Sequence, residues 1–222
     1  MKTIVVLGNG CYPRSEYPRY LLEHADFLVC CDGAFLKWLR HEHSVRALPD
    51  VVIGDLDSIP ERLRRRYSDI VVCLDEQEDN DQTKAVKYIL EHVCTDSSEE
   101  YELHFIGSTG LREDHTIGNM SLLMEYERRF HLAERGIKAG MVSDWTQIFA
   151  VTDSCTFYAG DYREISLFCP DNSVKIKSDG LRWPTDDVVF DNWWKASLNK
   201  PTADYVTLTF SHPAIALIVL SC

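Results

Sequence analysis

Five short apolar runs in the first part of the chain, TIVVLG (3–8), FLVCCDG (27–33), VVIGD (51–55), IVVCLD (70–75) and LHFIG (103–107), are rich in β-branched residues, and each ends in Gly or Asp. A strand with one wet face alternates apolar and polar residues. These runs do not alternate, so the sheet they form must be covered on both faces. The covering elements lie between them: DQTKAVKYILEHVC (81–94) sets Ala85, Val86, Ile89, Leu90 and Val93 at helical spacing, and HTIGNMSLLMEYERRF (115–130) continues the alternation. Strands separated by helices in this way predict a mostly parallel α/β sheet. Beyond about residue 140 the texture changes to WTQIFAVTD, YREISLFCP, SVKIKS, DVVF, DYVTLTF and AIALIVLS, short runs split by turn signals such as SDG. That pattern predicts an all-β sandwich. The expected division is an α/β domain over residues 1–138 and a β-sandwich over 139–222.

A chain of 222 residues, 45% of them hydrophobic, can bury a substantial core. Its 35 acidic against 23 basic residues give a net charge of -12, which argues against a general nucleic-acid or anionic-membrane surface. No apolar stretch approaches the ~20 residues of a membrane helix, and the apolar part of MKTIVVLGNG is too short for a secretion signal. A cytoplasmic location is expected. The eight cysteines form no CxxC and no zinc-finger spacing with histidine, and most sit in apolar runs, so free thiols acting as small buried hydrophobes are expected.

In an open parallel sheet, ligands bind at the carboxyl ends of the strands. The residues that follow the predicted strands are Gly8, Asn9 and Gly10; Asp32 and Gly33; Gly54, Asp55, Asp57 and Ser58; Asp75, Glu78, Asp79 and Asp81; and Thr109, Arg112, Asp114 and His115. Each has a local explanation. GDLDS suits a turn, and Ser58 with Glu61 and Pro60 reads as a capping box opening a helix over 60–68. Asp81 and Asp114 suit the N-caps of helices beginning at Gln82 and His115. Arg112 with Asp114 suits a local ion pair, and His115 a helix-terminal histidine. Caps do not explain why so many carboxylates share one sheet edge, where they repel one another. Asp55, Asp57 and Asp81 together point to a hard divalent cation such as Mg²⁺, which favours a few carboxylates plus phosphate oxygens. GNGCYP lacks the third glycine of a dinucleotide fingerprint, and GSTGLRED lacks the GK[ST] of a P-loop. GSTG still offers backbone N–H groups ahead of a helix, and Arg112 adds a planar charged donor suited to phosphate.

GDLDS, the acidic segment around Asp81, and GSTGLREDHTIGN resemble, in order and separation, the three motifs of thiamine pyrophosphokinases, GD[FL]DS, DxTD and G[AS]TGGRxDHxxxN. DGLRWP and SLNK in the tail are similar to that family's thiamine-binding domain. The resemblance implies an α/β nucleotide-binding domain joined to a β-sandwich, working as a homodimer with thiamine near the subunit interface. It implies the reaction of ATP with thiamine to give AMP and thiamine diphosphate, with Mg²⁺. By position it makes Asp55, Asp57 and Asp81 the metal and pyrophosphate group, with Arg112 beside them in catalysis. Arg112, Asp114, His115 and Asn119 fall in the nucleotide-side motif, and Asp32 with Gly33 match its DG turn. Asn9, Gly10, Ser58, Thr83 and Thr109 are the further nucleotide-side candidates.

Thiamine is cationic and aromatic, so the tail should offer an aromatic face and a few polar groups. The candidates are Trp183, Trp193 and Trp194 with Ser197 and Asn199; tryptophans in a small β domain also serve as core or interface residues. The chain departs from the family pattern at Glu78 and Asn80, where Asp and Thr are common, at Leu111, where the second glycine of TGGR stands, and at Ala196 and Leu198. Two other functions fit parts of the pattern. A non-catalytic sensor of thiamine or a nucleotide would not require so much uncompensated charge. A haloacid-dehalogenase-like phosphatase needs its DxD after the N-terminal strand, whereas here it follows about the third.

Overall fold

The computed structural model describes residues 1–221, and contacts divide them into two compact units. One comprises Met1–Leu122 with His131–Asp144, the other Leu123–Phe130 with Trp145 onward.

In the first unit the strands are β1 (Lys2–Leu7), β2 (Phe27–Cys31), β3 (Val51–Gly54), β4 (Val71–Cys73), β5 (Tyr101–Ile106) and β6 (Ile137–Val142). They lie in the order β6-β5-β1-β2-β3-β4 with every neighbouring pair parallel. The helices are α1 (Glu16–His24), α2 (Ala34–Trp38), α3 (Glu61–Arg66), α4 (Asp81–His92) and α5 (Glu113–Phe130), the second half of α5 grouping with the other unit. The absence of alternation in the strands has its expected cause. Val5, Leu7, Leu28, Cys30 and Val52 share one core cluster with Leu22 of α1 and with Phe35 and Trp38 of α2. The intervening residues Ile4, Val6, Val29 and Ile53 are just as deeply buried, and α4 lies against β2 and β3 through a face carrying Ala85, Val86 and Ile89. Burial on both sides is worth roughly 1.5–3 kcal/mol for each large aliphatic side chain.

β6 was not among the expected strands. Its exposed Lys138 and mid-strand Gly140 interrupt the apolar run, yet it pairs with β5 from Tyr101↔Ile137 to Ile106↔Val142. The boundary expected after residue 138 therefore falls inside a strand, and the first unit continues to Asp144.

The second unit holds β7 (Thr146–Val151), β8 (Cys155–Tyr158), β9 (Glu164–Phe168), β10 (Ile176–Asp179), β11 (Ala196–Asn199), β12 (Tyr205–Phe210) and β13 (Ala216–Ser221). Strands β11-β9-β13-β7 are antiparallel, as are β10-β12-β8. Ile165, Leu167 and Ile218 of the first group share a core with Ile176, Val206 and Leu208 of the second, the arrangement of a sandwich. DVVF (187–190), expected as a strand, is a loop. Thr185 ties it down, accepting from Val188 N at 2.9 Å while its hydroxyl donates to Ile176 O at 2.6 Å, and buried Phe190 anchors it to the core.

The described cysteines are free thiols. Cys30, Cys31, Cys94 and Cys169 are buried as expected, and Cys155 partly so, but Cys11 and Cys73 are exposed. Cys11 lies on the loop after β1, where its Sγ donates to Gly110 O at 2.8 Å, and Cys73 ends β4, its Sγ donating to Asp75 Oδ1 at 3.1 Å. Cys222 lies outside the described residues.

The start of α4 differs from the expected cap. Asn80 is the N-cap, its Oδ1 accepting from the Thr83 N–H and from the Thr83 hydroxyl, both at 2.9 Å, and Asp81 is the first helical residue. Asn80→Ala is expected to cost about 1 kcal/mol, within the usual 0.5–2 for a lost cap, read as a lower urea midpoint at unchanged slope. Asn80→Ser should recover most of it. No change in the alanine variant would mean that the cap contributes nothing.

Candidate active site

The chain runs outward from β1 through β2, β3 and β4, then returns to β5 on the other side of β1. That reversal opens a crevice at the carboxyl ends of β1 and β5. The two loops there are joined by backbone bonds, Gly8 N to Ile106 O at 2.8 Å, Gly10 N to Gly107 O at 2.6 Å and Cys11 N to Thr109 O at 2.8 Å. The approach leaves no room for a side chain at residue 10, where a Cβ would lie 2.4 Å from Thr109 O. Beside the loops is a cleft of about 350 Å³ lined by Asn9, Gly10, Asp32, Asp81, Thr109, Arg112, His115 and Asn119, all expected from the sequence. Cys31, Gln82, Ser108 and Thr116, which were not singled out, also line it, as does Asn80, noted only as a departure from the family pattern.

Next to the cleft, Asp32, Asp55 and Asp57 bring one carboxylate oxygen each within 4.8 Å of one another. Asp32 is 6% exposed and its Oδ1 has no hydrogen-bond partner. The backbone is contorted to achieve this. Leu56, between the two aspartates, has φ 65° and Asp32 has φ 39°. A left-handed leucine costs roughly 1–2 kcal/mol. Burying its side chain, 2% exposed in the core under β3, contributes roughly 1.5–3 kcal/mol in return. The turn thus sends Leu56 inward while its neighbours converge on Asp32. Ser58 Oγ donates to Asp57 Oδ1 at 3.0 Å, so the capping box expected with Glu61 does not form, and α3 starts after Pro60 without a side-chain cap.

Asp81 lies across Gly54 from Asp32: a Cβ on Gly54 would stand 3.0 Å from Asp32 Cβ and 3.1 Å from Asp81 Oδ1. Burial pushes the Asp81 carboxyl above the usual range, and the charges of Asp32 and Asp55 add to that. Lys84, only 3% exposed, opposes it with Nζ 3.5 Å from Asp81 Oδ1. A lysine is almost never so buried unless paired; this one is a counter-charge beneath the acidic edge, which sequence reading passed over because it sits on the apolar side of α4.

Arg112 and Asp114 form the local ion pair, Nε to Oδ1 at 3.0 Å, and Asp114 also accepts from His115 N at 2.9 Å. The guanidinium bond holds the Asp114 carboxyl down at about 2. Both side chains are exposed, so the pair adds little stability. Helix α5 starts at Glu113, so Asp114 lies within its first turn and is not the cap expected for a helix beginning at His115. Asn119 braces the site, donating from Nδ2 to Ser108 O at 2.8 Å and accepting from Asn80 Nδ2 at 3.1 Å. Ser108 Oγ is buried without a partner. Gly33 sits under Asn9, with no space for a Cβ, and Thr83 is buried behind the Asn80 cap, so neither lines the cleft.

Residues 18–133 match the catalytic domain of thiamin pyrophosphokinase, and residues 148–215 its substrate-binding domain. The chain belongs to the thiamin pyrophosphokinase family. Among its relatives, thiamine pyrophosphokinase 2 of Arabidopsis thaliana is 32% identical over 141 residues, 55% of this chain and 51% of that protein. Thiamine pyrophosphokinase 1 of Oryza sativa is 28% identical over 206 residues, 82% of this chain and 74% of that one. The match to the Arabidopsis protein thus spans about half of its length. The fold is shared with the crystal structure of thiamine pyrophosphokinase from Bacillus subtilis, with a TM-score of 0.76 over 99% of both chains at 19% identity.

Within the part matched by the family's substrate-binding domain, Trp183 is half exposed and Ser197 Oγ donates to Trp194 O at 2.6 Å. Asn199 is buried and engaged at both ends. Its Oδ1 accepts from Trp183 N at 3.1 Å and Lys200 N at 2.8 Å, while Nδ2 donates to Trp183 O at 2.6 Å. In this structure Asn199 pins the Trp183 loop. Leu198, at one of the departures from the family pattern, has φ 57° and is exposed at the irregularity in β11.

Gly54 has φ 153°, and a methyl group there would intrude between Asp32 and Asp81. Gly54→Ala is expected to lose about 1–3 kcal/mol of stability and most turnover, measured by chemical denaturation and steady-state kinetics. Wild-type values in both would show that the acidic edge tolerates displacement.

Proposed function

We propose that the protein transfers the pyrophosphoryl group of ATP to the hydroxyl of thiamine, forming thiamine diphosphate and AMP, with Mg²⁺ as its metal. The observation that carries this reading is a junction at one sheet edge. A glycine-walled cleft with Arg112 in its lining adjoins three carboxylates whose oxygens converge within 4.8 Å, one of them buried and unsatisfied. This all-oxygen set fits a hard cation, with Asp32, Asp55 and Asp57 as its holders and Asp81 facing the same space. When bound, Mg²⁺ screens phosphate charge and polarises the transferring group.

The chain's own residues supply the rest. The GSTG loop offers backbone N–H groups to phosphate oxygens, and Arg112, which already reaches the cleft, exchanges Asp114 for phosphate. Lys84, with Nζ 3.5 Å from Asp81 Oδ1, opposes the burial that raises that carboxyl. A carboxylate of the cluster accepts the proton of the thiamine hydroxyl as its oxygen bonds to the β-phosphorus. The bond from that phosphorus to the oxygen of AMP breaks in line. Such a transfer depends on positioning and charge more than on covalent help.

For thiamine, Trp183, Trp193 and Trp194 present exposed rings to a cationic heterocycle, with Ser197 nearby in sequence. Uncovered aromatic rings of this number favour a second copy of the chain as a partner, and we read the working unit as a homodimer. Free thiols fit a reducing compartment, the cytoplasm.

The test is to incubate the purified protein with ATP, Mg²⁺ and thiamine and separate the products. Thiamine diphosphate and AMP in equal amounts, abolished by excess chelator, are expected. ADP with thiamine monophosphate would place the attack at the γ-phosphorus, and thiamine binding without any product would replace the enzyme by a sensor.

A further inference from the structure

A second cleft, of about 400 Å³, opens on the first unit away from the acidic edge. In a chain of net charge -12, its lining gathers three guanidinium groups, Arg14, Arg19 and Arg40, against two carboxylates, Glu23 and Glu42. Glu23 is already engaged, accepting from Ser44 Oγ at 2.7 Å with Arg19 at 4.0 Å. The Ser44 bond holds its carboxyl below the usual range. Asp144, the carboxylate that feels Arg14, is occupied by the N–H groups of Arg14 and Ser15 at 2.8 and 2.9 Å and by the Ser15 hydroxyl at 2.9 Å. Arg40 forms no ion pair among the described residues. Arg14 and Arg40, without carboxylate partners among the described residues, present guanidinium forks that match the oxygens of a phosphoanion, and the volume lies in the range of small-ligand sites.

The segment that lines this cleft also lines the first. Gly8, Asn9 and Gly10 face the acidic side, while Tyr12 and Arg14 face the second cleft. Two contacts fasten that segment to the end of α2. The Tyr12 ring stacks on His41 at 3.8 Å and 8°, and Lys37 Nζ donates to Asn9 O at 2.6 Å and Gly10 O at 2.5 Å. His41 in turn bonds through Nδ1 to Lys37 O at 2.8 Å. An anion seated between Arg14 and Arg40 would therefore load both ends of the loop that shapes the first cleft.

We propose that the cleft between Arg14, Arg19 and Arg40 is a separate site for a diphosphate group, filled without a divalent cation and coupled through residues 8–14 to the cleft beside the acidic cluster. A nucleotide and free pyrophosphate share that chemistry.

The experiment is calorimetric titration of the full chain with inorganic pyrophosphate in excess EDTA and without thiamine, conditions in which the uncompensated carboxylates repel the probe from the first cleft. One site per chain is expected, weakened about tenfold or more by Arg14→Ala with Arg40→Ala and unchanged by Arg112→Ala. Both substitutions of the pair are at exposed positions, and a thermal melt confirms that the variant folds. No binding by the wild type, unchanged affinity in the double variant, or loss of binding with Arg112→Ala would each overturn the site. Repeating the titration with ADP identifies the source: tighter binding than pyrophosphate supports a nucleotide, equal binding the diphosphate group alone. Because the assay needs no turnover, its failure is distinct from failure of the proposed reaction.

Discussion

Mutual repulsion among Asp32, Asp55, Asp57 and Asp81 is the constraint around which this structure is arranged. Four carboxylates meet at one sheet edge, and the buried ion pair beneath them supplies a single positive charge, Lys84. Folding alone gains nothing from such crowding, since charges of like sign brought out of water cost free energy. The geometry is nevertheless enforced by left-handed Asp32 and Leu56, by a glycine at residue 54 that alone leaves space between two of the acids, and by Leu56 and Ile59 locked into the core. Strain held in place by deep packing is characteristic of residues kept for binding. In the proposed reaction a cation and phosphates would complete the site and remove the repulsion.

The sheet order explains why the cleft lies where it does. The return of the chain from β4 to β5 leaves the carboxyl ends of β1 and β5 without a crossing helix, and the glycine loops there are drawn together by backbone bonds and by the Cys11 thiol. Asn119 then ties Ser108 to Asn80, so the loop after β5 and the start of α4 are held in register by one amide. The start of α4 and the GSTG loop are thereby tied together within the first unit.

Much of this was legible in the sequence because it depends on patterns with a single physical reading. Apolar runs without alternation, separated by helical patterns, read as doubly covered strands, as in β1 to β3, and polar residues after parallel strands gather at one edge. The misses have identifiable causes. β6 is interrupted by Lys138 and Gly140, β8 and β11 are four residues each, and DVVF uses its apolar residues to anchor a loop. The cap that Asp81 could have supplied comes instead from Asn80, one residue earlier, so capping does not account for Asp81. Asn80 had looked like a departure from a family threonine; both residues cap helices, so the change keeps the function of the position. Asp32 was placed with the nucleotide contacts because its distance from the GDLDS turn is invisible in one dimension. Asn199 looked like a ligand contact because nothing in SLNK shows that both ends of its amide are committed to the Trp183 loop.

The most direct test of the account is whether the acidic edge binds a divalent cation through the residues that converge there. Titration with Mn²⁺, standing in for Mg²⁺ and followed by electron paramagnetic resonance of the free ion, should show binding by the wild type. That binding should weaken about tenfold or more in Asp32→Asn and in Asp55→Asn, with both variants still folded. Binding of equal strength in the two variants, or none in the wild type even with pyrophosphate present, would contradict it.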